Sequence, residues 1–383
     1  MSTQRSKKDI ALVICAAFCF SSSFMMVPPI ITGFAESLGA SSLIMGIIGG
    51  LSNIVSLICR PFIGNMTDRF SKIRISCISG ILIFIASVGY LLATHPLIIS
   101  IFRIIAGIGY TCYTVCMATW IAEMAPPHKI GSYMGIFGVA LATAMGIAPA
   151  LGVGIYQFFG YRQAFIAAII FILLALAFLY FIKNPGFPQL PDSDKHSNQF
   201  QLIAWNVLPV SIVMMLFALP FYATHAFLVR YVEIREIPIM AGMFFPIYSA
   251  VLVTLRLILK NLFDTVPFQR FMGFSVFSAA LGLVCFSQLS DYLLLSIAAA
   301  FTAGGFGIMF SVSQANAVIL AGPGRRGLGI STFFIAIDLG MSLGPIIGGI
   351  IYGHLPIIWF FPTLLIFPIV TIPFWWISKK IWH

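Results

Sequence analysis

Among the ionisable side chains inside long apolar runs of this 383-residue chain, four could do chemistry: Arg103, His225, Arg230 and Asp338. Asp338 is about eleven residues into the run 327–352, close to its middle at a helical rise of ~1.5 Å per residue. A carboxyl group held there can take up and release a proton, or pair with a cationic ligand. His225, five residues after Pro220, can carry a proton or bind a ligand, or hydrogen-bond a neighbour. Arg103 offers a planar, permanently charged fork. Arg230 is close enough to the end of its run for the guanidinium to reach water.

A second pattern is denser. The stretch Gly64-x-x-x-Asp68-Arg69-x-x-Lys72-x-Arg74, preceded by Arg60, carries four cations and one acid in 15 residues. It joins the apolar runs 42–63 and 75–93, each long enough to cross a bilayer. It is therefore a short basic hairpin at a membrane face, and the basic face is expected to be cytoplasmic. Asp68 ends the first helix, where the helix dipole disfavours an anion, so it needs a cation or a helix N-terminus beside it. Lys129 and the pair Arg325–Arg326 each precede a helix expected on the same face. Two contacts are expected from this: Asp68 with the start of the run at 327, and Asp264 with the start of the run at 130.

The elements that position these residues follow from composition. The chain is 60% hydrophobic and 8% charged, with a mean hydropathy of +1.04, whereas a soluble domain is about a quarter charged. Twelve runs fit the hydropathy, near 10–33, 42–63, 75–93, 97–121, 130–156, 162–183, 204–231, 238–262, 271–289, 292–317, 327–352 and 357–379. With both termini on the cytoplasmic side, 17 of the 21 Lys and Arg fall on that side and 4 on the other. The net charge of +10 is explained by this bias without invoking nucleic acid. The first run is too long for a cleaved signal and is read as a retained span. The polar, proline-bearing stretch 184–203 divides the chain into halves 1–183 and 204–383. The seven cysteines show no metal-ligand spacing, and the i,i+4 pairs Cys15/Cys19 and Cys112/Cys116 are read as packing residues. No phosphate-binding Gly-x-x-x-x-Gly-Lys loop is present, and no cofactor, metal site or catalytic group is expected.

The halves repeat each other. A shift of 196 aligns Arg60 with Arg256, Asn65 with Asn261, Asp68 with Asp264, Lys129 with Arg325, Gly131 with Gly327, Pro149 with Pro345, Gly152 with Gly348 and Tyr156 with Tyr352. Such internal symmetry is typical of transporters. Gly340, Gly344 and Gly348 recur every four residues and line one helix face, where small residues allow close helix approach. Pro345 allows that helix to bend. Ser21–Ser23, Gln314 and Asn316 either hydrogen-bond between helices or line a cavity.

The hairpin motif resembles the signature loop between helices 2 and 3 of the major facilitator superfamily, with Ser71 where that family often has Gly and Ile73 where it often has a basic residue. Arg103-Ile-Ile-Ala106-Gly107-Ile-Gly109 is similar to the family's arginine motif on helix 4, with Ala106 where Gln is frequent. Gly340-Met-Ser-Leu-Gly344-Pro345-Ile-Ile-Gly348-Gly349 resembles the glycine–proline motif that the drug–proton antiporter branch carries on helix 5. The helix-5 copy here is Gly146-Ile-Ala148-Pro149-Ala-Leu-Gly152. The resemblance spans the whole chain. It implies an all-α membrane protein of two six-helix bundles around a central cavity, in which access alternates and helix 7 lines the cavity. It also implies that the Asp68 contact is a latch stabilising the outward-open state. On this reading Gly64, Arg69, Lys72, Arg74, Lys129, Arg325 and Arg326 belong to latches with Asp68 and Asp264.

The expectation is a monomeric, multi-pass secondary active transporter of a bacterial-type cytoplasmic membrane, exporting a small, partly apolar organic molecule in exchange for protons. Proton-coupled import of a metabolite, sugar or metal chelate is the first alternative. A membrane-embedded enzyme or a sensor is a more distant one.

Overall fold

The computed structural model describes residues 2–187 and 200–382. Residues 184–187 and 200–203 of the proposed linker are therefore described, and 188–199 lie outside the described residues. Twelve helices are long and apolar enough to cross a membrane. Spans 1 to 6 are Lys8–Ser37, Ile47–Arg69, Lys72–Leu92, Pro96–Met124, Pro127–Phe159 and Tyr161–Tyr180. Spans 7 to 12 are Trp205–Ile234, Ala241–Leu259, Phe268–Ser287, Tyr292–Ala321, Arg326–His354 and Ile357–Ser378. No strand occurs among the described residues. Isoleucines at 47, 54 and 58 on span 2, and at 78, 81 and 85 on span 3, are exposed. Apolar side chains facing outward in such number suit a lipid surround and not water.

Local chemistry shapes the spans. Span 1 breaks between helices Ser2–Met25 and Pro28–Ser37, because Pro28 and Pro29 lack the N–H groups needed to continue the hydrogen-bond ladder. Span 10 contains a π-helical turn, Ala303–Gly307, in the sequence Ala-Gly-Gly-Phe-Gly. Such turns free backbone carbonyls. Here Ser275 Oγ donates to Gly304 O (3.2 Å) and Arg256 Nη2 to Gly307 O (3.3 Å).

The described chain forms two compact units. The first comprises Met1–Pro127, Ala140–Ile203 and Gly322–Ser331; the second comprises His128–Val139, Ala204–Ala321 and Thr332–His383. Each unit thus takes most of one sequence half plus a short segment of the other: the start of span 11 in the first, the start of span 5 in the second.

In the first unit span 4 packs on spans 2 and 3, and span 6 on spans 1 and 3. Its core includes Phe24, Ile31, Phe34, Tyr90, Ile99 and Phe165. A side chain at Gly107 would lie 2.7 Å from the carbonyl oxygen of Ser52, so only glycine lets spans 2 and 4 approach this closely. Gly152 meets the Met26 carbonyl of span 1 in the same way, at 2.6 Å, three residues beyond Pro149 within span 5.

In the second unit span 10 packs on spans 7, 8 and 9, and span 12 on span 7. Span 7 lies against the glycine face of span 11. A Cβ at Gly340 would sit 2.4 Å from that of Ala218. At Gly344 it would sit 2.7 Å from Leu219 O, and at Gly348 2.9 Å from the ring of Phe227. Pro345 lies inside that helix.

Candidate functional site

The charged hairpin is built at the end of span 2. Asp68 is 6% exposed. Its Oδ1 accepts from the backbone N–H of Gly327 at 2.6 Å and its Oδ2 from that of Leu328 at 2.9 Å. The anion thus sits on the first free amides of span 11, where the helix dipole is positive and backbone donors have no helical partner. Gly64 and Gly327 make the approach possible: a Cβ on Gly64 would lie 2.6 Å from that of Ser331, and one on Gly327 2.6 Å from Gly64 O. Ser331 Oγ donates to the carbonyl of Arg60, and Arg326 Nη1 to that of Ala122 at 2.9 Å. Lys72, whose side chain is fully buried, pairs through Nζ with Glu123 Oε1 at 3.0 Å. Arg69 and Arg74 are exposed.

The first linker residues close over this cluster. Lys72 N donates to Gly186 O (3.0 Å) and Ile73 N to Pro185 O (3.3 Å), while Ser71 Oγ donates to Pro185 O at 2.6 Å. Gly186 has φ +59, and a Cβ there would lie 2.7 Å from Trp120 Nε1 and 2.8 Å from Lys72 Cβ. Both the backbone conformation and the space therefore require glycine.

The second unit holds the symmetric counterpart. Both oxygens of Asp264 accept from the backbone N–H of Ser132, at 3.2 and 3.1 Å, and Ser132 Oγ also donates to Asp264 Oδ2. Ser132 is in the first turn of span 5, three residues after the exposed Lys129. Gly131 allows close approach here, since a Cβ would meet Phe263 O at 2.6 Å. Asp264 is only half-buried, so this contact is wetter than that of Asp68.

The ionisable residues within spans fall into two classes. Arg230 is exposed, bonded to Glu233 Oε2 (3.2 Å) and Tyr352 Oη (3.3 Å), and belongs to the surface. Arg103 is 2% exposed: Nε donates to Ile48 O (2.9 Å) and Nη2 to Gly49 O (2.8 Å), so the fork bridges consecutive carbonyls of span 2. Its own carbonyl accepts from Ser52 Oγ at 2.7 Å. Its Nη1 is buried without a partner, beside a cavity also lined by Ser23, Ser87 and Tyr90.

His225 and Asp338 belong to the second unit. His225 sits among aromatic rings, with centroids at 4.5 Å to Phe221, 4.8 Å to Phe245, 5.9 Å to Phe244 and 6.1 Å to Tyr222. Its ring makes no hydrogen bond among the described residues. Asp338 is 5% exposed, within span 11, and its carbonyl accepts from Ser342 Oγ at 2.9 Å. Gln314 on span 10 is fully buried with neither amide atom partnered, while Asn316 Nδ2 bonds to Val312 O at 2.9 Å.

Arg256 was marked in the sequence only by its alignment with Arg60. Its guanidinium is buried, donating to Gly138 O and Gly307 O and lying 5.9 Å from the ring centroid of Phe310. Arg60 is fully buried as well and donates to Thr114 Oγ1 at 2.9 Å. Both thus reach from the second helix of a half to the fourth. Glu123, the partner of Lys72, carried a weaker signal: an acid at the end of a span, in a chain with few acids.

The family model described as Major Facilitator Superfamily matches residues 13–290. An uncharacterized MFS-type transporter of Methanocaldococcus jannaschii is 23% identical, over 95% of this chain and 96% of its own length. Multidrug resistance protein 2 of Bacillus subtilis is 24% identical, over 85% of this chain and 84% of its own. Among solved structures, that of the human organic anion transporter MFSD10 superposes with a TM-score of 0.81, covering 97% of this chain and 99% of that one at 13% identity, a likeness of fold. With twelve apolar helices, the paired carboxylate contacts and a family match over most of its length, the chain belongs to the Major Facilitator Superfamily: it is a multi-pass integral membrane protein and a secondary transporter.

Proposed function

We propose that this transporter is a proton-coupled exporter of a small, partly apolar organic molecule, acting as a monomer by alternating access in a bacterial-type cytoplasmic membrane. Asp338 carries the proposal: an acidic side chain 5% exposed, in the middle of a membrane-spanning helix. Ionisable groups at that depth are costly and are kept where ions or protons move. His225, in its aromatic surround, is the second titratable group and the substitute candidate. Similarity to a multidrug resistance protein supports outward transport of organic molecules.

On this reading the halves 1–183 and 204–383 are the moving bundles, and the carboxylate contacts of Asp68 and Asp264 are conformational latches broken and remade in each cycle. Arg103, bonded to two carbonyls of span 2, holds the first bundle rigid around its remaining free donor. Both termini are cytoplasmic, so an epitope at 233–236 is expected to label from outside the cell and one at the C-terminus only after permeabilisation.

The deciding experiment uses proteoliposomes with an imposed pH gradient and a panel of lipophilic organic substrates. Accumulation that moves substrate opposite to the proton flow is the expected result. Accumulation along the proton flow would assign the importer reading instead, and transport indifferent to the gradient would remove proton coupling.

A further inference from the structure

The last residues of the linker form a second link beside Asp68. The side chain of Asn65 pairs with the main chain of Gln201: Nδ2 donates to Gln201 O at 2.7 Å, and Oδ1 accepts from Gln201 N at 3.3 Å. This two-bond pairing mimics the edge of a strand. The ring of Phe200 packs on Phe62, with centroids 5.6 Å apart. The side chain of Gln201 then reaches onward, its Oε1 accepting from Arg325 Nη1 at 3.1 Å.

The positions of these three residues give the arrangement its meaning. Asn65 lies three residues before Asp68, and Arg325 lies two residues before Gly327. The chain Asn65–Gln201–Arg325 therefore spans the same join as Asp68–Gly327–Leu328 and runs alongside it. All of these residues belong to the first unit. In the second unit the counterparts are Asn261 and Lys129, and among the described residues neither side chain is bonded in this way.

Gln201 suits the task chemically. Its backbone is fixed by Asn65, so its side chain starts from a held position and loses little freedom on bonding. Its acceptor oxygen meets a guanidinium, which makes the bond charge-assisted and stronger than a neutral one.

We propose that Gln201 is a positioning residue for the transport cycle: by holding Arg325 it keeps the first turn of span 11 seated on the Asp68 carboxylate, so that the end of the linker is a working part of the latch. The proposal rests on the reading of the Asp68 contact as a conformational latch.

Amide hydrogen exchange in the 322–331 segment tests both ideas, because the Gly327 and Leu328 amides are the donors to Asp68 and their exchange reports opening of the contact. The full chain is purified into lipid nanodiscs, with a peptide from the interior of span 4 as the control for global loosening. Gln201→Ala is expected to raise exchange in 322–331 by about tenfold or more, the weight of one hydrogen bond to a charged group. Gln201→Glu keeps the shape, adds an ion pair to Arg325, and is expected to lower exchange below wild type. Asp68→Asn is expected to raise exchange. If Asp68→Asn raises it but both Gln201 variants match wild type, the positioning role is wrong and the latch stands. Equal increases in Ala and Glu variants, or a matching rise in the control peptide, would show mere structural support and also overturn the role. No change in Asp68→Asn would remove the latch and this inference with it.

Discussion

Oδ1 of Asp68 lies 2.6 Å from the backbone nitrogen of Gly327, 259 residues away in sequence. The separation joins span 2 to span 11, and the bond depends on two glycines with no room for a Cβ on either. Asp264 and Ser132 repeat the relationship in the second unit at 3.1–3.2 Å.

Asp68→Asn removes the charge that faces the helix N-terminus and places an amide NH2 against one of two backbone donors. Charge-assisted hydrogen bonds to a buried group contribute ~1.5–3 kcal/mol each, so the transport rate is expected to fall about tenfold or more. Expression and monodispersity should stay at wild-type level, because on the latch reading the contact biases a conformation and does not build the fold. Flux per inserted molecule in proteoliposomes is the measure, and a wild-type rate would contradict the latch.

Asp338→Asn preserves shape and removes the titratable group. The variant is expected to bind substrate and to support downhill exchange, while accumulation under a pH gradient is lost. Paired counterflow and gradient-driven uptake assays separate the two activities. Continued accumulation would transfer the coupling role to His225, where the same pair of assays on His225→Gln would locate it.

Arg103→Lys keeps the charge but replaces the planar fork, whose Nε and Nη2 reach two separate carbonyls, with a compact ammonium that does not reproduce that geometry. A bond from the cation to Ile48 O or Gly49 O is lost or weakened, and hydrogen bonds to charged groups contribute ~1.5–3 kcal/mol. A lowered melting temperature together with strongly reduced turnover is expected. Unchanged values in both would mean that the fork geometry is unimportant.

Gly344→Val brings a side chain to 2.7 Å from the Leu219 carbonyl and 3.0 Å from Tyr222 Cβ, so spans 7 and 11 must separate. Overpacking of this kind costs ~1–3 kcal/mol and should lower the thermal stability measurably. Gly349→Ala is the control: the nearest atom to its Cβ is 3.7 Å away, on the Phe227 ring, an ordinary contact, and its stability should match wild type.

Much of the fold was legible because the bilayer forces long apolar runs, and because duplication leaves a constant offset between equivalent residues. The resting places of Asp68 and Asp264 were legible from the dipole: an anion at a helix C-terminus must find a donor elsewhere. What receives them is mainly backbone N–H, joined at Asp264 by the Ser132 hydroxyl, with Arg326 bonded to Ala122 O instead. Backbone partners carry no side-chain signature, and for the same reason the carbonyls gripped by Arg103 and Arg256 were invisible in the sequence. The π-helical turn of span 10 left only a hint in its three glycines. Gln201 read as ordinary linker, since a polar residue in a loop gives no sign of docking on a residue 136 positions away. The sequence halves also differ from the compact units, because the opening turns of spans 5 and 11 are bound by hydrogen bonds to the carboxylates of the opposite half.

Duplication copies every helix, but it makes only one seam. Residues that touch the seam acquire a neighbour that their twins lack, as Asn65 has acquired Gln201 while Asn261 has not. A chain built from two matching halves thus carries an unequal pair of carboxylate contacts: Asp68, flanked by the Asn65–Gln201–Arg325 link, is buried, while Asp264, which has no such link among the described residues, is half-buried.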